Sequence, residues 1–162
     1  MGPEKRKNQG MTIPATAQKL IKQFSLGFVA TVDANGHPAV SPKGTFLVVD
    51  DETIAFGEIR SPGTMANLGN LPRVEVNFFD PFKRKAVRIA GDVRIVERGS
   101  DEFSALIGRW IDTWGDLAQR INALAIINAE RVKSVSTPPY DDGATEEEMI
   151  ALYQRKYAEI YP

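Results

Sequence analysis

The chain has 162 residues, of which 43% are hydrophobic and 25% charged, with a net charge of −1. That length suits one well-packed domain, and the composition excludes both a disordered chain and the broad positive field that would draw nucleic acid or an anionic membrane. Zero cysteines and a single histidine exclude a disulfide framework, thiolate chemistry and the usual His/Cys zinc sites. No apolar run reaches membrane-spanning length, and Met1 to Gly10 lacks the apolar centre of a signal peptide, so a cytoplasmic protein is expected. Residues 1–10 read as a disordered tail or an expression remnant, because Met11 resembles a natural start. Residues 11–162 then form the single expected domain.

The first element is an amphipathic helix from Pro14 to Phe24, with Leu20, Ile21 and Phe24 as its apolar stripe. Phe28 to Val32 reads as a strand, Asp33-Ala-Asn-Gly36 as a hairpin turn, and His37 to Lys43 as the returning strand. Phe46 to Val49 and Thr53 to Ile59 form a second antiparallel pair around Asp50-Asp51, and a short helix follows from Pro62 to Leu68. From Arg73 to Asp80 the residues alternate, with Val74, Val76 and Phe78 on one face. Lys85 to Glu97 is a long strand interrupted by Gly91, the place for a bulge or bend. Ser100 caps a helix carrying Phe103, Leu106, Ile107 and Trp110, and Ala123 to Val135 is the last strand. Thr145-Glu-Glu-Glu148 is a capping box opening a terminal helix toward Tyr161. Short antiparallel strands at hairpin spacing predict a mainly β protein, a barrel with flanking helices.

The chemistry concentrates in Glu58-Ile-Arg-Ser-Pro-Gly-Thr-Met-Ala-Asn67. Ser61 is placed to cap the helix, Pro62 suits its first position, and Thr64 lies on its first turn beside Arg60. Exposed amides, the helix dipole and a guanidinium together suit a phosphate. An ordinary capped helix beside a solvated arginine fits the same residues, and the segment alone leaves both readings open.

Elsewhere the chain has no glycine-rich nucleotide fingerprint, no Walker motif and no nucleophile elbow. His37 follows a hairpin turn, which predicts an exposed imidazole and not a catalytic base. The acidic runs at Asp50 to Glu52, Asp141-Asp142 and Glu146 to Glu148 fall at turns and helix starts, so no metal site is expected. Lys83-Arg-Lys85 reads as a charged hairpin tip, and Trp110 and Trp114 as core or interface aromatics. With so few acid-base groups, an enzyme here would rely on a cofactor for its reaction.

Pro38-Ala-Val-Ser-Pro-Lys-Gly44, Ile54-Ala-Phe-Gly-Glu58, Arg60-Ser-Pro-Gly-Thr64 and Asn67 through Val74 occur in an order that resembles the pyridoxamine 5'-phosphate oxidase-like, FMN-binding split-barrel family. The likeness runs from Pro14 to Val96. It implies an antiparallel split β-barrel and a homodimer with FMN at the subunit interface. By the same resemblance, Arg60, Ser61, Thr64 and Asn67 match the segment that holds the FMN phosphate. Ser41 and Lys43 match the strand beside the ribityl chain and ring, and Glu58 the strand end beneath the flavin. The chain lacks the Arg-x-Val-Leu-Leu-Lys strand and the late Trp-Arg-Leu-x-Pro segment of pyridoxamine phosphate oxidase itself, so vitamin B6 oxidation is not expected. The implied activity is transfer of hydride or electrons between a nicotinamide or other small donor and an acceptor, with Lys43 tuning the flavin and no further catalytic residue assigned. The alternatives are a reductase using deazaflavin F420 in the same barrel, and a non-catalytic flavin- or heme-binding protein.

Overall fold

A computed structural model describes residues 10–162. The expected tail at 1–10 lies, except for Gly10, outside the described residues. In chain order the elements begin with α1 (Ala15–Gln23), β1 (Gly27–Val32), β2 (Pro38–Lys43), β3 (Phe46–Asp50), β4 (Thr53–Glu58) and α2 (Pro62–Asn70). They continue with β5 (Arg73–Asp80), β6 (Lys85–Glu97), α3 (Asp101–Leu106), α4 (Gly108–Trp114), a 3-10 turn (Gly115–Arg120), β7 (Ala123–Val135) and α5 (Glu146–Ile160).

All strand pairs are antiparallel, and the sheet runs in the order β2-β1-β5-β6-β7-β4-β3. The sheet curls on itself. Phe46, on terminal strand β3, packs its ring edge-on against Phe78 of β5 with centroids 4.8 Å apart. The two terminal strands nevertheless do not pair with each other, so the barrel stays split between β2 and β3, as the sequence predicts. Pro38 and Pro42 lie on β2, an edge strand, where missing N–H groups cost the ladder least.

Two hydrophobic cores follow from the alternation along the strands. Inside the curl, Val29, Phe46, Phe56, Val76, Phe78 and Ile89 meet Ile13, Ala17 and Ile21 from the α1 end. On the outer face, Ala55, Leu124 and Ile126 are covered by Phe103 and Trp110. β4 is buried on both faces, which explains its unbroken apolar run. The helix expected from Ser100 is divided in two at Ile107, and Phe103 and Trp110, one on each side of the break, both lie in the outer core. Other expectations hold: Ser100 Oγ accepts from the Phe103 amide at 3.2 Å, Thr145 and Glu148 form the capping box, and Lys83 to Lys85 sit at the β5–β6 hairpin tip.

Gly91 lies opposite a bulge in β7, where the register shifts between Ala90, paired with Arg131, and Gly91, paired with Ala129, leaving Glu130 as the extra residue. A Cβ at Gly91 would lie 1.8 Å from the Asn128 carbonyl oxygen, a backbone atom that has no rotamer to yield. Gly91→Ala should therefore lower the unfolding free energy by about 2–3 kcal/mol. Urea denaturation reads this as a lower midpoint, and an unchanged midpoint would show that the bulge relaxes without strain.

Candidate functional site

The split in the barrel is also where the chemistry-bearing residues converge. Glu58 ends β4, the loop carries Arg60 and Ser61, and α2 begins at Pro62, while β2 brings Ser41 and Lys43 alongside. Two adjoining cavities of about 350 and 300 Å³ share Arg60 and Ser61 in their walls. The first also has Lys43, Thr45, Gly57 and Arg120 in its lining; the second has Ser41, Thr64 and Asn67. The sequence-predicted residues Ser41, Lys43, Arg60, Ser61, Thr64 and Asn67 thus line two adjoining cavities, while Glu58 lines neither and stands behind Ser61.

Each is placed by a local cause. Lys43 and Ser41 are two apart on a strand, so they share a face, and Lys43 Nζ donates to Ser41 Oγ at 2.6 Å. Lys43 is buried, with 8% of its surface exposed. Burial pushes its ammonium below the usual lysine range, and the nearby Glu58 carboxylate opposes that shift. Glu58 is equally buried and accepts from the Ser61 amide at 2.7 Å and from Ser61 Oγ at 3.2 Å. Asn67 Nδ2 donates to Thr31 Oγ1 at 3.0 Å, which ties α2 to β1.

One expectation is corrected here. Ser61 stands at the N-cap position of α2, but its side chain makes no cap hydrogen bond: its backbone, at φ −142° and ψ 65°, departs from the extended form of the Ser100 and Thr145 caps, and its hydroxyl donates to Glu58. The helix thus begins without a side-chain acceptor on its first-turn amides, and Arg60 makes no hydrogen bond or ion pair among the described residues. A helix end left uncapped beside an unpaired guanidinium fits a phosphate better than it fits a finished structural cap. The Arg60 guanidinium and the Thr64 hydroxyl, with Lys43 behind them, therefore suit a phosphorylated cofactor such as FMN.

Sequence reasoning missed three contributors because they come from distant parts of the chain. Thr45 Oγ1 donates to the Gly57 carbonyl at 2.8 Å and accepts from the Gly57 amide at 3.0 Å. Trp110 Nε1 donates to the Thr45 carbonyl at 2.8 Å, so this tryptophan belongs to the core and also braces the site. Arg120 enters the larger cavity from the turn before β7. Its position in the sequence carries no periodic or motif signal. His37 is exposed and faces Asp33 at 3.4 Å, away from the groove, and no group of three metal-ligating side chains occurs among the described residues. No helix among them is long and apolar enough to cross a membrane.

Comparison with known proteins agrees with this fold. The family model described as Pyridoxamine 5'-phosphate oxidase matches residues 13–136. Among solved structures, the HupZ protein of Group A Streptococcus is 27% identical, covers 77% of this chain and 95% of its own, and superposes with a TM-score of 0.66. HutZ of Vibrio cholerae, described as a heme storage protein, is 20% identical over 76% of this chain and 94% of its own, TM-score 0.62. An FMN-binding protein from Syntrophomonas wolfei is 18% identical over 75% and 84%, TM-score 0.61. At these last two identities the likeness is one of fold. No curated protein matches the sequence.

The lowered Lys43 pKa has a consequence for stability. Because the folded chain releases this proton below 10.5, the unfolded chain binds more protons in the window between the folded value and 10.5. Stability therefore rises with pH there; the contribution is complete above the unfolded value and is lost as pH falls through the folded one. Lys43→Met removes it. The difference in unfolding free energy, wild type minus variant, should grow as pH rises toward the unperturbed lysine value of 10.5, and a pH-independent difference would show Lys43 to be solvated like a surface lysine.

Proposed function

Since the chain belongs to the pyridoxamine 5'-phosphate oxidase family, we propose that it is an FMN-dependent oxidoreductase, moving hydride or electrons between a small donor and an acceptor. The observation that carries the reading is the unpaired Arg60 beside the uncapped start of α2. FMN supplies the redox chemistry when bound. Arg60 and the first-turn amides of α2 would hold its phosphate, with Thr64 adding a hydroxyl and Ser61 in the wall beside them. Glu58 fixes the Ser61 backbone and balances Lys43, and Lys43 keeps a positive charge in the groove that favours an electron-rich ligand. Thr45 and Trp110 hold the strand ends at constant separation. The cavity offers no imidazole, since the one histidine sits on the β1–β2 turn; this favours flavin over heme.

The proposed assembly is a homodimer with the groove at its interface. Val40 is 66% exposed on edge strand β2 beside the cavity, and Leu26, Phe28 and Leu71 are also exposed. Apolar side chains gathered near an open sheet edge support burial against a second copy.

Arg60→Ala should weaken FMN by about 10- to 100-fold in a fluorescence titration while leaving the far-UV spectrum unchanged, and lysine should restore it only in part. Unchanged affinity would overturn the phosphate assignment. In the same preparations, anaerobic NADH or NADPH should bleach the flavin band and air should restore it. Flavin that passes electrons from no donor to any quinone, dye or oxygen would establish a binding protein and remove the enzyme. Light scattering should give twice the 17.9 kDa chain mass at micromolar concentration, and a monomer would remove the shared site.

A further inference from the structure

The larger of the two cavities contains more positive charge than one phosphate uses. We propose that Arg120 anchors the oxyanion, a carboxylate or phosphate, of a second small ligand bound beside the cofactor, namely the substrate or electron donor. This rests on the reading of the Arg60 lobe as the FMN phosphate site.

Arg120 is presented by a built support. Arg98 Nε donates to the Ile121 carbonyl at 2.8 Å and its Nη2 to the Gln119 carbonyl at 2.8 Å, with a further contact from Nη2 to Ile121. The two carbonyls flanking Arg120 are thus gripped by one guanidinium, itself placed over the Phe103 ring. On the other side, the Asn122 amide donates to the Glu58 carbonyl at 2.8 Å and Asn122 Nδ2 to the Ile59 carbonyl at 3.0 Å. Ile121 is fully buried against Gly57, where a Cβ would come within 2.4 Å of Ile121 Cδ1. The glycine therefore permits the turn to close onto the end of β4. The backbone around Arg120 is fixed to the same strand end that carries Glu58 and Arg60, while its guanidinium makes no hydrogen bond or ion pair among the described residues.

Charge matching then assigns the ligand class. Around the groove stand Lys43, Arg60 and Arg120 against the single carboxylate of Glu58. A phosphate monoester carries about −1.5 to −2 at neutral pH, which Arg60 and the α2 dipole accommodate. Lys43 and Glu58 offset each other. Arg120 remains, in a lobe of about 350 Å³ walled by Pro42 and Ile59. A planar fork in a small, mostly polar cavity suits an oxyanion carried on a compact organic body.

The test titrates inorganic phosphate and succinate into FMN-loaded and FMN-free protein, following the flavin band in the first and phosphorus NMR line width or calorimetry in the second. Wild type should bind one oxyanion per chain when loaded with FMN and two phosphates when free of it. Arg120→Gln should weaken the oxyanion in loaded protein by about tenfold or more and leave FMN affinity within about threefold. Arg120→Lys should recover part of the loss. In FMN-free protein, Arg60→Ala and Arg120→Gln should each remove one phosphate. Tighter phosphate indicates a phosphate ester and tighter succinate a carboxylate; both support the proposal. Unchanged oxyanion affinity in Arg120→Gln, or an equal loss of FMN, overturns it. If wild type fails to bind FMN yet Arg120→Gln still removes a phosphate, the cofactor reading falls and the Arg120 subsite stands.

Discussion

The arrangement of the site depends on one hydroxyl. Phe46 pairs with Phe56 in the β3–β4 ladder, and the next opposed pair would be Thr45 and Gly57. There the Thr45 side chain replaces its own backbone, donating to the Gly57 carbonyl and accepting from the Gly57 amide. The Thr45 main chain is thereby free to turn away toward β2, which opens the barrel at this point. Its carbonyl would be a buried orphan, a cost of about 1–3 kcal/mol, but the Trp110 indole N–H takes it. The groove is an opening whose backbone groups are satisfied from the outer core, so a polar site can exist there without unpaired buried groups.

That support lets the charged groups remain incomplete. Glu58 and Lys43 are both nearly enclosed, an arrangement that costs several kcal/mol per ion unless each finds a counterpart. Glu58 finds Ser61, accepting from both its amide and its hydroxyl, and the field of Lys43. The N-cap position of α2 is left open, with its hydroxyl turned to a carboxylate three residues earlier. Arg60 and Arg120 complete a cluster whose positive excess is compatible with a stable fold because both guanidiniums reach solvent.

Local patterns made most of this legible from sequence. The alternation of Arg73 to Asp80, the Thr145 capping box and the apolar run of β4 each express a physical period or a cap that few other folds use. The order of motifs from Pro38 to Val74 revealed the split barrel, because that order reflects which strand ends meet. What stayed hidden was what the chain brings together across long separations. Ser61 matched every rule for an N-cap, and only the position of the Glu58 side chain shows that its hydroxyl is already engaged. Arg120 and Trp110 lie in the segment covering the outer core, and nothing in their neighbours indicates that the turn closes onto Gly57. The break between α3 and α4 was equally unreadable, since Phe103, Leu106, Ile107 and Trp110 keep helical spacing across it.

Strand β4 has Ile54 and Phe56 in the inner core and Ala55 in the outer one. Neither core can open without exposing the other's strand, so the two unfold as one cooperative unit and not as separable layers. A ligand gripped at the end of that strand raises the opening free energy of the whole unit by the same mass-action increment. Amides of α4, whose residues line neither cavity, would then slow their exchange with solvent in step with those of β1, and occupancy of the site would be readable from a helix outside its walls.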